Sequence, residues 1–214
     1  VEAGAQATEG VFFLQKWAAQ PFTVGSPWLE IGVFLILFGY CSKLGLAPWY
    51  SWLPEAYDAA PPSVTTLLAA MQFNCVLLAL FRVVPVFLPL APGLIRVELV
   101  LLGLASMSLA AIHIVTEKNY KRLIAYASIN HAGVIAIGLA LGKTASFGVV
   151  LYVLSNALVK AVLFLTCGNL KARFHTKNIA DLHGLIKEMP YSGWFFMIGV
   201  FALLGFAPFG SFFG

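Results

Sequence analysis

Long apolar runs separated by short polar connections make up the chain from residue 27 onward. A helix needs about 20 apolar residues to cross a bilayer, and six stretches are long enough: residues 27–58, 62–84, 94–115, 123–142, 146–169 and 191–213. The runs are continuous, whereas the strands of a membrane barrel alternate apolar and polar residues. Because lipid offers the backbone no hydrogen bonds, the remaining structure that can span it is the helix. The pattern predicts an all-α, polytopic transmembrane helix bundle with about six spans over residues 27–214.

Two of the six spans are interrupted by proline. Pro48 lies in the first and Pro208 in the last, and each removes a backbone donor from a helix interior. Gly45–Trp49 and Gly205–Phe209 share the pattern G-x-A-P-aromatic. Interrupted spans at corresponding positions of two halves are typical of transporters built from inverted repeats, although chance in a Gly- and Pro-rich chain is the alternative. We expect both spans to be broken near mid-membrane.

The ends of the chain differ from its middle. Residues 1–26 are more polar, and they are predicted to form an extramembrane loop with a short surface helix around residues 11–19. The chain opens inside this polar stretch and stops inside an apolar one. We therefore expect it to be a fragment of a longer protein, part of a larger inverted-repeat fold.

Composition supports a membrane location. Hydrophobic residues make up 60% of the chain and charged residues 10%, against about 25% charged in soluble domains. The net charge of +4 needs no nucleic-acid partner. The loops at 116–122 and 170–190 are rich in Lys and Arg, so the positive-inside rule places both in the cytoplasm of a multi-pass protein of the cell inner membrane.

Three basic residues inside the spans are candidates for proton transfer. Lys43 lies beside the first break, His131 in the middle of the fourth span and Lys160 in the middle of the fifth. Charged residues at this depth are costly and therefore mark function, and histidine ionises near neutral pH. The structural alternatives are a helix C-cap for Lys43 and buried packing or hydrogen bonding for the other two. We expect all three side chains to point into the bundle.

Other polar residues are given supporting roles. Tyr152 and Asn156 precede Lys160 by two turns and one turn, so they form one polar stripe. Gln72 carries no net charge but can hold water, and Pro48 and Pro208 create the breaks. Glu30, Glu98 and His113 lie near span ends and are expected to reach the interface. No metal, redox or nucleotide motif is visible, so no metal or cofactor is expected in this chain.

Four blocks of the sequence resemble one known family. The blocks are Lys43–Pro48 with Trp52–Ala56 and Ala60-Pro61, then Asn119–Ser128, Asn156–Phe164 and Gly205–Phe213. They are similar, in order, to motifs of the antiporter-like membrane subunits found in respiratory complex I, hydrogenase-4, formate hydrogenlyase and multisubunit cation/proton antiporters. The first block looks most like the hydrogenase-4 branch of this family.

The resemblance implies about fourteen helices with two inverted five-helix repeats, of which this chain would supply the seventh to the twelfth. It implies that Lys43 pairs with a glutamate on an earlier helix and that Lys160 belongs to the second half-channel. Titratable residues of the family are replaced here by Tyr50, Ala69, Asn130 and Asn156.

The sequence therefore favours a proton-translocating membrane subunit of a respiratory-type oxidoreductase complex. Its expected partners are other membrane subunits, a peripheral redox arm and lipid. A cation/proton antiporter subunit is the first alternative, and a structural membrane subunit with a decayed channel is the second.

Overall fold

The structure, a computed structural model, describes residues 27–89, 91–142, 145–207 and 209–213. The predicted surface helix around residues 11–19 lies outside the described residues. Every regular element in the described ranges is helical, which confirms the all-α class.

The described residues form nine α-helical segments and a short 3-10 turn at Ile179–Asp181. The segments are α1 (Pro27–Lys43), α2 (Trp52–Ala59), α3 (Pro62–Phe87), α4 (Pro92–Thr116), α5 (Tyr120–Leu141), α6 (Ser146–Phe174), α7 (Leu185–Glu188), α8 (Pro190–Leu203) and α9 (Gly210–Phe213). Helices α3 to α6 are long and apolar enough to cross a membrane. The pairs α1–α2 and α8–α9 take the places of the two interrupted spans. Of the six predicted spans, four are thus continuous helices and two are broken pairs.

Both breaks have the same backbone conformation. Gly45 and Gly205 adopt positive φ angles of 80° and 77°, which glycine tolerates because it has no Cβ. In each break the glycine N–H donates to the carbonyl three residues earlier, and the next N–H donates to the carbonyl five residues earlier. This pair of bonds is the Schellman ending of a helix. The predicted repeat of the break is confirmed in its backbone geometry, although Pro208 itself lies outside the described residues.

Helix α5 is the centre of the bundle. In its most apolar window 67% of the residues are buried, compared with 22% for α4 and 28% for α6. The outer faces of α4 and α6 instead expose large apolar side chains, including Val115, Phe147 and Leu158. These faces are suited to lipid or to further helices, since large apolar patches left in water are unfavourable.

Helices α4 and α5 approach each other at a pair of glycines. A Cβ atom on Gly103 would lie 2.8 Å from the carbonyl oxygen of Gly133, and one on Gly133 would lie 2.7 Å from the carbonyl oxygen of Gly103. Small residues at such crossings let two backbones approach closely inside a membrane, where packing replaces the hydrophobic effect as the driving force. The crossing therefore holds α4 against the central helix.

We expect Gly103→Ala to destabilise the bundle by roughly 1–3 kcal/mol, as overpacking does elsewhere. The clashing atom is a backbone oxygen, so the two helices must separate. Gly93→Ala is the matched control on the same helix, because a Cβ there meets no atom within 4 Å. Thermal unfolding in detergent measures the effect, and equal midpoints for the two variants would contradict this view of the crossing.

Candidate functional site

Lys160 lies in the middle of α6 and is completely buried. Its Nζ atom sits 3.9 Å from the centre of the Phe73 ring of α3, a cation–π distance. No other described residue offers Nζ a hydrogen bond. Because an isolated ammonium in apolar surroundings is costly, whether this lysine holds a proton depends on which charges approach it. The expected inward orientation of Lys160 is confirmed.

The part of α3 that packs on α6 is not a regular α-helix. Leu67–Gln72 forms a π-helical turn that contacts α6, and Phe73 follows it directly. π-Turns inside α-helices occur often at functional sites. The half-buried Gln72 ends the turn. Hydropathy carries no signal for a π-turn, so this feature could not be predicted from the apolar pattern.

His131 forms a second polar group with Tyr152, within electrostatic range of Lys160. The imidazole is buried in α5 and hydrogen-bonds through Nδ1 to the Tyr152 hydroxyl of α6. Lys160 lies within electrostatic range of the same ring. The backbone of Leu203, at the end of α8, also contacts it. The predicted inward orientation of His131 is confirmed, and its neighbours come from both α6 and the second broken helix.

The polar stripe predicted on α6 faces the interior. Asn156 is 4% exposed, and its Oδ1 has no hydrogen-bond partner among the described residues. Tyr152 is half-buried and Lys160 is fully buried. Three polar side chains on one face of an otherwise apolar helix thus point into the bundle, not toward lipid.

The second break borders a cavity of about 440 Å³. Its lining combines Gly205 and Ser211 of the break with Asn130, His131 and Tyr152. Irregular backbone at membrane depth occurs where it is buried in protein or lines a wet cavity. The cavity gives the His131–Tyr152 pair an opening beside the second break.

Lys43 does not join this group. Its side chain is exposed in the described part of the chain, so the prediction that it points into this bundle is wrong for residues 27–213. The physical reason is its position at the last residue of α1, whose buried face carries Val33, Leu37 and Cys41. Lys43 follows Cys41 by two residues, a rotation of about 200° around the helix axis, so its side chain points away from that face.

Ser106 of α4 closes the first break. The Ala47 N–H donates to the Ser106 Oγ at 2.8 Å, and this hydroxyl donates to the Leu102 carbonyl at 2.6 Å. Ala47, the residue before Pro48, is 5% exposed and Ser106 is 0% exposed. The donor freed by the break is therefore satisfied by a side chain of a neighbouring helix. No sequence pattern marks this serine.

His113 belongs to an aromatic group beside the first break. The Tyr50 hydroxyl hydrogen-bonds the His113 Nε2 at 3.0 Å, and the imidazole stacks on Tyr126 of α5 with ring centres 4.8 Å apart. From its place near the end of a span, His113 is expected to reach the membrane interface. The ring is half-buried and lies one turn before the end of α4, with one nitrogen bonded to Tyr50 and its face packed on Tyr126, so the interfacial position stays a prediction.

Asp58, in the last turn of α2, links the end of this helix to the α4–α5 and α6–α7 connections. Its Oδ1 accepts from the Lys177 Nζ at 2.7 Å and from the Asn119 Nδ2 at 3.1 Å. Lys121 is 1% exposed and donates from Nζ to the Ala60 carbonyl at 2.9 Å. Lys121, one of the loop charges in the sequence, is thus a buried cap on the end of α2, which suits the negative end of a helix.

The Thr65 hydroxyl donates to the carbonyls of Tyr57, Ala60 and Pro61, at the end of α2 and in the connection that follows it, and the Thr66 hydroxyl donates to the Pro62 carbonyl of its own helix. Within the described ranges, no group of three or more His, Cys, Asp or Glu residues is placed to hold a metal ion. The candidate site itself contains the amine of Lys160, the imidazole of His131, the phenol of Tyr152 and the amide of Asn156.

The family described as "NADH:quinone oxidoreductase/Mrp antiporter, TM" matches residues 6–214. The chain belongs to this family. Among curated relatives, it is 34% identical over 187 residues to the hydrogenase-4 component F homolog of Methylacidiphilum infernorum, covering 86% of this chain and 39% of the relative. It is 35% identical over 181 residues to the F(420)H(2) dehydrogenase subunit M of Methanosarcina mazei, covering 83% of this chain and 36% of that protein.

Solved structures show the same fold. The chain superposes on the membrane-bound sulfane sulfur reductase, an archaeal respiratory membrane complex, with a TM-score of 0.80 and 31% identity over 86% of this chain and 38% of the other. It also superposes on the Mrp complex from Dietzia sp. with a TM-score of 0.79 and 27% identity, covering 85% of this chain and 34% of the other. The chain thus spans less than two fifths of the length of these similar proteins.

We expect Ser106→Ala to lower the free energy of local opening at the first break by about 1–3 kcal/mol, because it leaves the buried Ala47 N–H without its acceptor. Ser108→Ala is the control on the same helix, since the Ser108 hydroxyl bonds to a carbonyl of its own helix, that of Leu104. Amide hydrogen exchange should accelerate at Leu46 and Ala47 in the first variant and stay unchanged in the second. Equal protection in both would show that Ser106 does not hold the break.

Proposed function

We propose that this chain is part of a proton-translocating membrane subunit of a respiratory-type oxidoreductase complex. Support comes from three observations: Lys160 is buried, it lies within electrostatic range of the hydrogen-bonded His131–Tyr152 pair, and that pair lines the cavity at the second break. Two titratable side chains within electrostatic range of each other form a relay when a proton on one disfavours a proton on the other. The cavity supplies the opening from which such a relay can exchange protons.

The transfer follows from the contacts of the three side chains. A proton that enters the cavity reaches His131 or the Tyr152 hydroxyl first, because both line it. Protonated His131 then disfavours a charge on Lys160, so the ammonium releases its proton to an acceptor outside the described residues. Once His131 is neutral again, the Lys160 amine can take up the next proton. Phe73 stabilises the charged amine and imposes no fixed hydrogen bond.

Electron transfer in partner subunits would drive these changes of charge. The partners we propose are other membrane subunits of a hetero-oligomeric complex and a peripheral redox arm, with lipid around the exposed apolar faces. This chain would bind no cofactor and no nucleic acid. It would lie in the cell inner (plasma) membrane, with the loops around residues 116–122 and 170–190 in the cytoplasm.

Lys43 has a separate role in this proposal. It sits at the C-terminal end of α1, directly before the first break. We propose that it pairs with an acidic residue on a helix outside residues 27–213, as the family resemblance implies. Its exposure in the described part of the chain supports such a contact, because a lysine at membrane depth requires a polar neighbour.

A cation/proton antiporter subunit is the second candidate, and the similarity to the Mrp complex from Dietzia sp. favours it. The two functions differ in their driving force. Transport that requires sodium and no redox substrate would support the antiporter, whereas transport that starts with a redox substrate and ignores sodium would support the oxidoreductase subunit.

We expect Lys160→Ala to reduce proton translocation by the intact complex by roughly tenfold or more, within the range that general acid–base groups contribute. Assembly should survive, because removing a buried amine without a hydrogen-bond partner also removes a desolvation cost. Lys160→Arg should fail as well, since a guanidinium does not release its proton. Proton uptake by membrane vesicles at matched subunit levels is the measurement.

Lys171→Ala is the matched control for this experiment. Lys171 lies on the same helix as Lys160 but is exposed at its far end, so its removal should leave proton uptake near that of the parent. If Lys160→Ala pumps as well as Lys171→Ala, then Lys160 is structural, and a membrane subunit with a decayed channel becomes the better description.

A further inference from the structure

Glu98 is a buried acid that the relay around Lys160 does not use. It lies on α4, six residues after the helix begins at Pro92, and 6% of its surface is exposed. Both carboxyl oxygens are buried, and neither has a hydrogen-bond partner among the described residues. Its place near the end of a span predicts that Glu98 reaches the interface. The structure corrects this, because it holds the carboxyl inside the protein.

No base neutralises this acid within the described part of the chain. Helix α1 brings Cys41 within electrostatic range of it, and a thiol does not neutralise a carboxylate. The two ion pairs seen in the described ranges lie elsewhere, at Arg173–Glu188 and Lys177–Asp58. None of the basic residues on α1, α3, α4 and α5 therefore forms an ion pair with Glu98. These basic residues are Lys43, Arg82, Arg96, His113, Lys121, Arg122 and His131.

Glu98 is one of the residues that border an open groove of about 440 Å³, although its carboxyl oxygens themselves are buried. Phe34 of α1 and Val97 and Leu101 of α4 line it, and all three are exposed. The walls are apolar, so the groove offers the carboxylate no compensating charge. An ionised carboxylate without a partner is far more costly there than the neutral acid.

We propose that Glu98 is a further proton-binding site of this protein, separate from the Lys160 group, and that its carboxyl is reached through the groove lined by Phe34, Val97 and Leu101. The bound proton neutralises the acid in place of a cationic side chain. The ligand is the proton itself, because the groove supplies none of the additional oxygen ligands that a hard metal cation requires. This inference stands apart from the proposed relay and does not depend on it.

A hydrophobic carbodiimide tests the site directly in the unmodified, full-length protein in its native membrane. N,N′-dicyclohexylcarbodiimide reacts with a protonated carboxyl: the acid proton moves to one nitrogen, the oxygen bonds to the central carbon, and an oxygen-to-nitrogen acyl shift leaves a stable N-acylurea with no atom lost. Mass spectrometry of the peptide that contains Glu98 measures the adduct.

We expect the adduct to form at Glu98 and to fall by about tenfold per pH unit once the pH passes the range in which the carboxyl ionises. Glu30 of α1 is the internal control. Its side chain is exposed, so it should react with a water-soluble carbodiimide and react little with the hydrophobic one. Glu98→Gln should abolish the adduct at position 98, and Glu98→Asp should retain a weaker one if the glutamine variant does not fold.

Three results would overturn the proposal. Absence of an adduct at Glu98 at every pH would show that the groove does not reach the acid in the full-length protein. Protection by sodium, but not by choline at equal ionic strength, would identify a sodium site. A structure of the complex with a Lys or Arg nitrogen within ion-pair distance of Glu98 would make it a structural partner. An infrared carbonyl band of a protonated acid that disappears in Glu98→Gln would support the proposal independently.

Discussion

The hydrogen bonding of broken backbone inside a membrane is the constraint on which this structure depends. Lipid cannot satisfy a free N–H or C=O, so each interruption must be closed by the protein itself. A positive-φ glycine and two carbonyls of the preceding turn close the helix end at Gly45 and Gly205. At the first break, the hydroxyl of Ser106 takes the next free donor. Helix α4 therefore serves as a wall of the first break as well as a packing partner of α5.

The same constraint also determines where the polar and titratable side chains lie. Once a helix is broken, polar side chains and cavities gather at the break, because the exposed backbone needs them. The second break adjoins the cavity that His131 and Tyr152 line, and the first adjoins the ring of His113. The two breaks are thus alike in backbone but differ in their surroundings. Lys160 lies near the second group, and Lys43 adjoins the first but faces away from the described helices.

The spans, the two breaks and the inward positions of Lys160 and His131 could be predicted from the sequence. Hydropathy, the repeated G-x-A-P pattern and the cost of buried charge each depend on local composition. The exposure of Lys43, the burial of Lys121 and the unpaired carboxyl of Glu98 could not be predicted, because they depend on which neighbouring helix faces a residue. Position along a span therefore predicts the wrong environment for Glu98.

The π-turn at Leu67–Gln72 has a consequence for the tolerance of this protein to changes in length. A π-turn accommodates one more residue than the α-turn it replaces. An extra residue in an uninterrupted α-helix would rotate the part beyond it by about 100°. The π-turn absorbs such a residue within one turn, so Phe73 stays on the side of α3 that faces the Lys160 amine. Loss of one residue is therefore expected to disturb this contact less within Leu67–Gln72 than in the regular helix on either side.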